Sequence, residues 1–413
     1  MSMARMLETE EAARRLGVKP STLYAYVSRG LVSSHPAPSG SGRRRSLFDV
    51  DEVERLARRS RGGRSVETRL ATITTGITQL TDDGPVYRGR RAVDLATTWS
   101  FEEVARLLWR GDGPVPDWSP LRLDPPPALG PLDRMRWAVV LAGADDPLRA
   151  DRRPDVVRRR AARLGATMVA VLQPAGGSPA VGGGEHTTLA ERLAAVLCPS
   201  AGPAGVRWVN AALVLMADHE LATSTLAVRV AASTRADLYD AVLAGLGTIA
   251  GPLHGGASQL AYGLLEDAER HGVARAVDDS LRWQGRLPGF GHSVYTDGDA
   301  RFGVLFDLLA TVATPARVDL VSALVELVGA HDVPAPNVDL ALAAMAWATG
   351  MPPDSGRTLF TVARVAGWTA HYLEELDERP LRFRARAVYT TSGPDDGPAE
   401  APGRGTATGS RDG

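Results

Sequence analysis

Three histidines sit in short contexts that could do chemistry. His254 stands in Gly251-Pro-Leu-His-Gly-Gly-Ala-Ser258, just past a small-residue helical pattern running from Asp240 to Ala250. An imidazole placed where a helix gives way to glycine can donate a hydrogen bond to an oxygen that gains charge during a reaction. Gly255 and Gly256 are expected to take positive φ and to let a ligand approach the main chain. A glycine-ended helix carrying an incidental histidine would leave the same pattern. His219 lies in Asp218-His219-Glu220, inside an apolar stretch from Val209 to Val230, and His292 opens a segment that closes at Arg301 (GFGHSVYTDGDAR). Asp339, in PAPNVDLALAAMAW, offers a carboxylate, although a helix N-cap after Pro336-Asn337 would explain it equally.

The elements around these residues read as helices. Apolar residues recur at helical spacing from Val206 to Arg229 and from Leu238 to Ala250, with many Ala and Gly that allow close packing. Further helices are expected at 257–271, 300–313, 316–330, 339–349 and 354–378, with almost no alternating strand pattern between them. Gly84-Pro85 punctuates a small β-turn feature between Asp82 and Tyr87. Ser100 and Glu103 stand at capping-box spacing ahead of an amphipathic helix. Residues 112–131 form a proline-rich connection, and 174–184 a glycine-rich connector without the context of a phosphate cradle. The body from 67 to 390 is all-α, and 391–413 is too polar and too rich in Gly and Pro to fold.

Composition narrows the class. With 413 residues, 44% hydrophobic and 23% charged, the chain suits a soluble globular protein of two or three domains. The start carries no apolar signal core and no run is long enough to cross a membrane, so a cytoplasmic location is expected. Cys198 is the only cysteine, which excludes an internal disulfide and any multi-cysteine metal site. The net charge of −1 hides a split, because residues 1–65 carry +6 and the remainder −7. Lys19 is the only lysine, so any phosphate-binding cation of the body must be arginine.

That basic segment has its own pattern. Thr9 could cap a helix ending at Gly17, and Pro20 could open a second that stops at Gly30. Leu16, Leu23, Tyr26 and Val27 form the expected packing face. A turn-rich stretch with Arg43, Arg44 and Arg45 suits a wing, and Asp49 could cap a third helix. Residues 1–60 resemble the winged helix-turn-helix domain of the MerR and excisionase type, with 61–66 as linker. The resemblance implies duplex DNA as a partner, with Ser21, Thr22 and Tyr24 near the bases and the three arginines on phosphates. A protein-contact role is the other reading of the same charge.

The three histidine contexts, in this order, resemble the citrate synthase family, and so does the stretch holding Tyr87-Arg88-Gly89 and Phe101-Glu-Glu-Val-Ala105. The resemblance implies a two-domain helical body and a condensation of acetyl-CoA with oxaloacetate, with no metal or redox cofactor. His254 would stabilise the enol of the thioester, Asp339 would remove the proton beside its carbonyl, and His292 would polarise the ketone. His219, Arg301, Arg364 and Arg386 would bind the dicarboxylate keto acid, Arg386 across a homodimer. The chain departs from the family at Ser293 and Thr296, where cations are usual, and at Leu340-Ala341-Leu342, expected to alter the pocket wall beside Asp339. A 2-methylcitrate synthase using propionyl-CoA, or a metabolite-sensing DNA-binding regulator, fits the same residues. His371 is expected to be structural.

Overall fold

The computed structural model describes residues 6–16, 18, 23, 27, 32–36, 46–50, 52–53, 73–113, 116–173, 187–252, 254–331 and 333–384. The chain divides into two compact units, one of which is Ile73–Phe383, with the preceding residues in the other.

In the N-terminal unit, strand β1 (Met6–Glu8) leads into helix α1 (Thr9–Leu16), and β2 (His35–Pro36) pairs with β3 (Ser46–Asp49). β3 is central, with β1 and β2 antiparallel on either side. The hairpin β2–β3 is the base of the expected wing. Strand β1 was not legible in the sequence, because three residues are too few to show alternation, yet Leu7 alone of the three is buried. Leu16 and Leu23 join Ala12, Ala13, Phe48 and Val53 in a small core, with Val27 packed against it. Asp49 caps the third helix as expected, accepting from the Glu52 amide at 3.2 Å. Thr9 is instead the first residue of α1. Ser21, Thr22, Tyr24, Tyr26, Arg43, Arg44 and Arg45 lie outside the described residues, as do the linker, the glycine-rich connector 174–184, Arg386 and the tail.

The larger unit opens with an antiparallel meander, β4 (Thr78–Thr81), β5 (Gly84–Tyr87) and β6 (Arg90–Arg91). The expected turn feature is thus a three-stranded sheet. Its strands are too short to show a period-2 pattern, and Gly84-Pro85, expected as the turn, opens β5 while Asp82-Asp83 make the turn. The helices follow as α2 (Ala92–Ala96), α3 (Phe101–Leu108), α4 (Pro131–Ala144), α5 (Pro154–Ala170), α6 (Leu189–Leu197) and α7 (Gly202–Leu215). After them come α8 (Thr223–Ser233), α9 (Leu238–Ile249), α10 (Ala257–His271), α11 (Val273–Gln284) and α12 (Ala300–Leu309). The last three are α13 (Pro315–Gly329), α14 (Val338–Thr349) and α15 (Ser355–Leu376).

Local chemistry accounts for the ends that matter. Ser100 and Glu103 form the expected capping box on α3. α14 is buried on every side from Leu340 to Trp347, the mark of a central helix, and it packs on α10, α12 and α15. Gly245 of α9 faces Trp368 of α15, where a Cβ would come within 2.8 Å of the indole, so only glycine permits that approach. The helical stretch expected from Val206 to Arg229 is broken: α7 stops at Leu215 and α8 starts at Thr223. The residues between them carry Asp218 and His219.

Candidate active site

The break between α7 and α8 is held from two sides. The Tyr87 hydroxyl of β5 lies 3.0, 3.2 and 3.1 Å from the carbonyl oxygens of Val214, Leu215 and Asp218, the first two at the α7 C-terminus. The fully buried Asp218 carboxylate accepts from the Glu220 amide at 3.1 Å, and Glu220 takes a positive φ of 52°. His219 is therefore fixed between an anchored aspartate and a strained glutamate. Asp218 also meets His371 Nε2 at 3.3 Å, while Arg229 Nη1 donates to His371 Nδ1 at 3.1 Å. Because that donation occupies the Nδ1 lone pair, Nε2 carries the proton toward Asp218. Burial works against the Asp218 charge, but His371 and Arg364 more than offset it and hold its carboxyl below the usual range. The structural role expected of His371 is this one.

His292 sits at the end of Gly289-Phe290-Gly291, where φ of 83° and 78° requires glycine. Its Nδ1 accepts from the amides of Val294 at 3.0 Å and Tyr295 at 3.3 Å. The proton is thus on Nε2, which becomes the donor available to a ligand. Asn337 ties this loop to α14. Its side-chain nitrogen donates to the Gly291 carbonyl at 2.7 Å, and its side-chain oxygen caps the helix by accepting from the Asp339 amide at 2.9 Å. Asn337, not Asp339, is the N-cap, and Asp339 Oδ1 and Oδ2 accept no hydrogen bond among the described residues. Burial, with Asp299 adding to it and Arg301 opposing it, pushes the Asp339 carboxyl up to about 6.

His254 lies between α9 and α10, its Nε2 at 2.9 Å from Ser224 Oγ and its ring edge-on to Phe360. Trp368 Nε1 donates to the same Ser224 oxygen at 3.4 Å, which directs the serine proton toward His254 and leaves Nδ1–H facing away. Burial, helped by Arg364, pulls the His254 pKa down to about 4, so the ring is a neutral donor at physiological pH. Gly255 and Gly256 do not take positive φ. Their reason is steric: a Cβ on Gly255 would collide with the Ile249 carbonyl oxygen, and one on Gly256 would lie 3.1 Å from Pro252 Cα.

The two arginines differ. Arg301 is buried and its fork is occupied by Asp299, at 2.9 Å from Nε to Oδ1 and 2.8 Å from Nη2 to Oδ2. Asp299 also accepts from the Val338 amide at 2.9 Å, so one carboxylate sets Arg301 and the start of α14 together. Arg364 is 1% exposed, lies 4.6 Å over the Phe360 ring, and its Nε and Nη1 have no hydrogen-bond partner among the described residues. His219 Nε2 is likewise buried without a partner among the described residues, and burial, then Arg301, Arg364 and His292, push its pKa well down.

His219, His254, His292, Arg301, Asp339 and Arg364 all line one cavity of about 1000 Å³. The Nε and Nη1 donors of Arg364, unpaired among the described residues, suit an anion with carboxylate oxygens. A raised carboxylate and a neutral imidazole on the same cavity suit proton removal beside a carbonyl. Leu340, Ala341 and Leu342 are in the core rather than on the cavity wall, so that departure repacks α14 instead of reshaping the pocket beside Asp339. Ser293 and the exposed Arg286 both line the cavity, and Arg286 is a cation that sequence reasoning missed. Ser224, Asp299 and Asn337 were also missed, since each has a contact far along the chain: Ser224 with the His254 ring, Asp299 with the Val338 amide and Asn337 with the Gly291 carbonyl. Among the C-terminal arginines that crowd Arg386, Arg382 is committed to Glu375 at 2.7 and 2.5 Å.

This helical body with three histidines, an aspartate and two buried arginines around one cavity belongs to the citrate synthase family, whose C-terminal domain matches residues 118–386. A helix-turn-helix domain matches residues 6–61. The chain is 30% identical over 336 residues to 2-methylcitrate synthase 1 of Corynebacterium glutamicum, covering 73% of this chain and 88% of that one. It is 30% identical over 364 residues to citrate synthase 2 of Bacillus subtilis, covering 80% and 96%. The crystal structure of citrate synthase from Pyrobaculum aerophilum superposes with a TM-score of 0.66 at 27% identity, covering 80% of this chain and 93% of that one. The protein is an acyltransferase of citrate synthase type. Among the described residues no helix is long and apolar enough to cross a membrane.

Proposed function

We propose that the cavity condenses acetyl-CoA with oxaloacetate to release citrate and CoA. The observation that carries this reading is Arg364, a buried guanidinium whose Nε and Nη1 await an anion beside His219. Oxaloacetate presents a carboxylate to Arg364 and its ketone to His292 Nε2–H. Asp339 takes a proton from the carbon next to the thioester carbonyl, and His254 Nδ1–H donates to the oxygen where enolate charge develops. The new carbon–carbon bond forms as the enol carbon attacks the polarised ketone, whose oxygen gains a proton. Water then cleaves the thioester and CoA leaves as the thiol. Arg286 replaces the cations absent at Ser293 and Thr296 as a partner for CoA phosphates. No metal or redox cofactor enters this chemistry.

Relatives named 2-methylcitrate synthase support propionyl-CoA as the second candidate acyl donor. One methylene is worth only about 1–3 kcal/mol of discrimination. Thiol release measured with acetyl-CoA and propionyl-CoA against several keto acids tests both. Release with oxaloacetate and either thioester supports the reading, and the ratio of the two kcat/KM values names the acyl group. No release with any pair moves the protein to a metabolite sensor.

The body works as a homodimer in which Arg386 completes the partner's site, and the N-terminal domain binds duplex DNA through the paired units. The match to a helix-turn-helix domain and the +6 charge of residues 1–65 support that part. Ser21, Thr22 and Tyr24 face bases while Arg43, Arg44 and Arg45 sit on phosphates. Binding to genomic fragments across a salt series should fall with a slope of about −0.9 per phosphate neutralised. Binding that is absent at low salt, or unchanged when the three arginines become alanine, would leave a protein-contact role.

A further inference from the structure

A second cavity, of about 440 Å³, lies at the C-terminal end of α15, apart from the residues of the first. Five arginines line it: Arg88 after β5, Arg110 after α3, Arg152 and Arg158 around the start of α5, and Arg235 after α8. Every hydrogen bond these five side chains make within the described residues goes to a backbone carbonyl. Arg88 donates to Leu108 and Gly76, Arg158 to Trp109, Arg152 to Arg235, and Arg235 to Glu375 and Glu378. Among the described residues Arg110 makes none, and no carboxylate forms an ion pair with any of the five. The lining carboxylates are Glu374 and Asp377. Glu374 is already engaged, by Arg229 at 2.6 and 2.9 Å and by the Gly76 amide at 3.0 Å, and Asp377 is exposed.

Capping of helix C-termini explains why arginines occur here, since Leu108, Trp109, Glu375 and Glu378 lie at the ends of α3 and α15. It does not explain why so many converge on a single space. Capping uses only Nε of Arg158 and one terminal nitrogen of Arg152, and nothing of Arg110. Five cations facing two carboxylates leave net repulsion, and Arg88 shows it: burial, then the neighbouring Arg110, draws its pKa down to about 10 against the opposing pull of Glu374. A multiply charged anion would remove that repulsion and fill the unused donors.

We propose that this cavity binds a condensed phosphate group, the pyrophosphate or triphosphate unit carried by a free polyphosphate or by a nucleotide. A single carboxylate or phosphate would reach only part of a wall set by five guanidiniums. Leu108, Leu373, Leu376 and Pro154 supply an apolar side against which an organic portion could rest.

The test is titration calorimetry on the full-length protein at fixed ionic strength, with pyrophosphate, tripolyphosphate, a nucleoside triphosphate and sulfate as separate arms. Saturable binding of a condensed phosphate, with sulfate giving none, is expected. The arms with and without a nucleoside separate the two sources. Arg110→Gln should weaken binding about tenfold and Arg110→Gln with Arg158→Gln further, each lost charge-assisted contact having that size. Arg364→Gln, in the other cavity, should bind as the parent does. No heat at millimolar ligand would overturn the proposal, and so would full binding by Arg110→Gln. That substitution alters an exposed side chain with no hydrogen-bond partner among the described residues, so loss of fold would not obscure its result.

Discussion

Replacing Asp339 by asparagine should make the protein more stable and nearly inactive at once. The carboxyl accepts no hydrogen bond among the described residues, and burial lifts it from 3.8 to about 6. A folded-state pKa above the unfolded one means that the folded protein holds this proton more tightly. The stabilising contribution is complete below the unfolded value and is lost as pH rises through about 6. At ~1.4 kcal/mol per pH unit, the charged form costs about 3 kcal/mol at pH 7.5 and about half that at pH 5. Asparagine keeps the shape and has no charge to bury. Urea unfolding at both pH values, at one protein concentration, should show the variant gaining most at pH 7.5. Thiol release should fall by roughly 10²–10⁴-fold, the range for a positioned base. A variant no more stable than the parent at pH 7.5 would refute the desolvated carboxylate. Turnover retained by the variant would refute its role as base.

Four further outcomes follow from the same geometry. The kcat/KM of the parent should rise about tenfold per pH unit up to about 6 and then level, since Asp339 must be ionised while His254 stays neutral above about 4; a flat profile from pH 5 to 8 would count against the pair. Arg364→Met should weaken dicarboxylate binding about 100-fold in equilibrium titration, because the Nε and Nη1 donors that have no hydrogen-bond partner among the described residues are lost; unchanged binding would remove Arg364 from the site. Ser224→Ala should lower kcat about tenfold with little change in KM, as His254 loses the partner that fixes its tautomer; unchanged kcat would remove Ser224 from the site. Gly255→Ala should cost about 1–3 kcal/mol in denaturant unfolding, from the clash with the Ile249 carbonyl, although both residues tolerate negative φ.

The sequence by itself determined the helical class, most helix positions around the site and the residue types that carry chemistry. Those depend on local signals: the capping box at Ser100, the helix between Ala257 and His271, and the histidine contexts around His219, His254 and His292. What pairs with what was decided only by the tertiary structure. The break at Met216–Ala222 continues a helical pattern in sequence, and it exists because Tyr87, from a sheet too short to recognise, binds the carbonyls where α7 ends. Asp339 is expected equally as a cap or a base until Asn337 takes the cap and leaves the carboxylate in a desolvated cavity. Arg301 and Arg364 look alike in the chain, but Asp299 occupies one fork, while Nε and Nη1 of the other have no hydrogen-bond partner among the described residues. Burial and partnership are properties of residues brought together from distant parts of the chain, so neither their pKa values nor their free donors are written in local order.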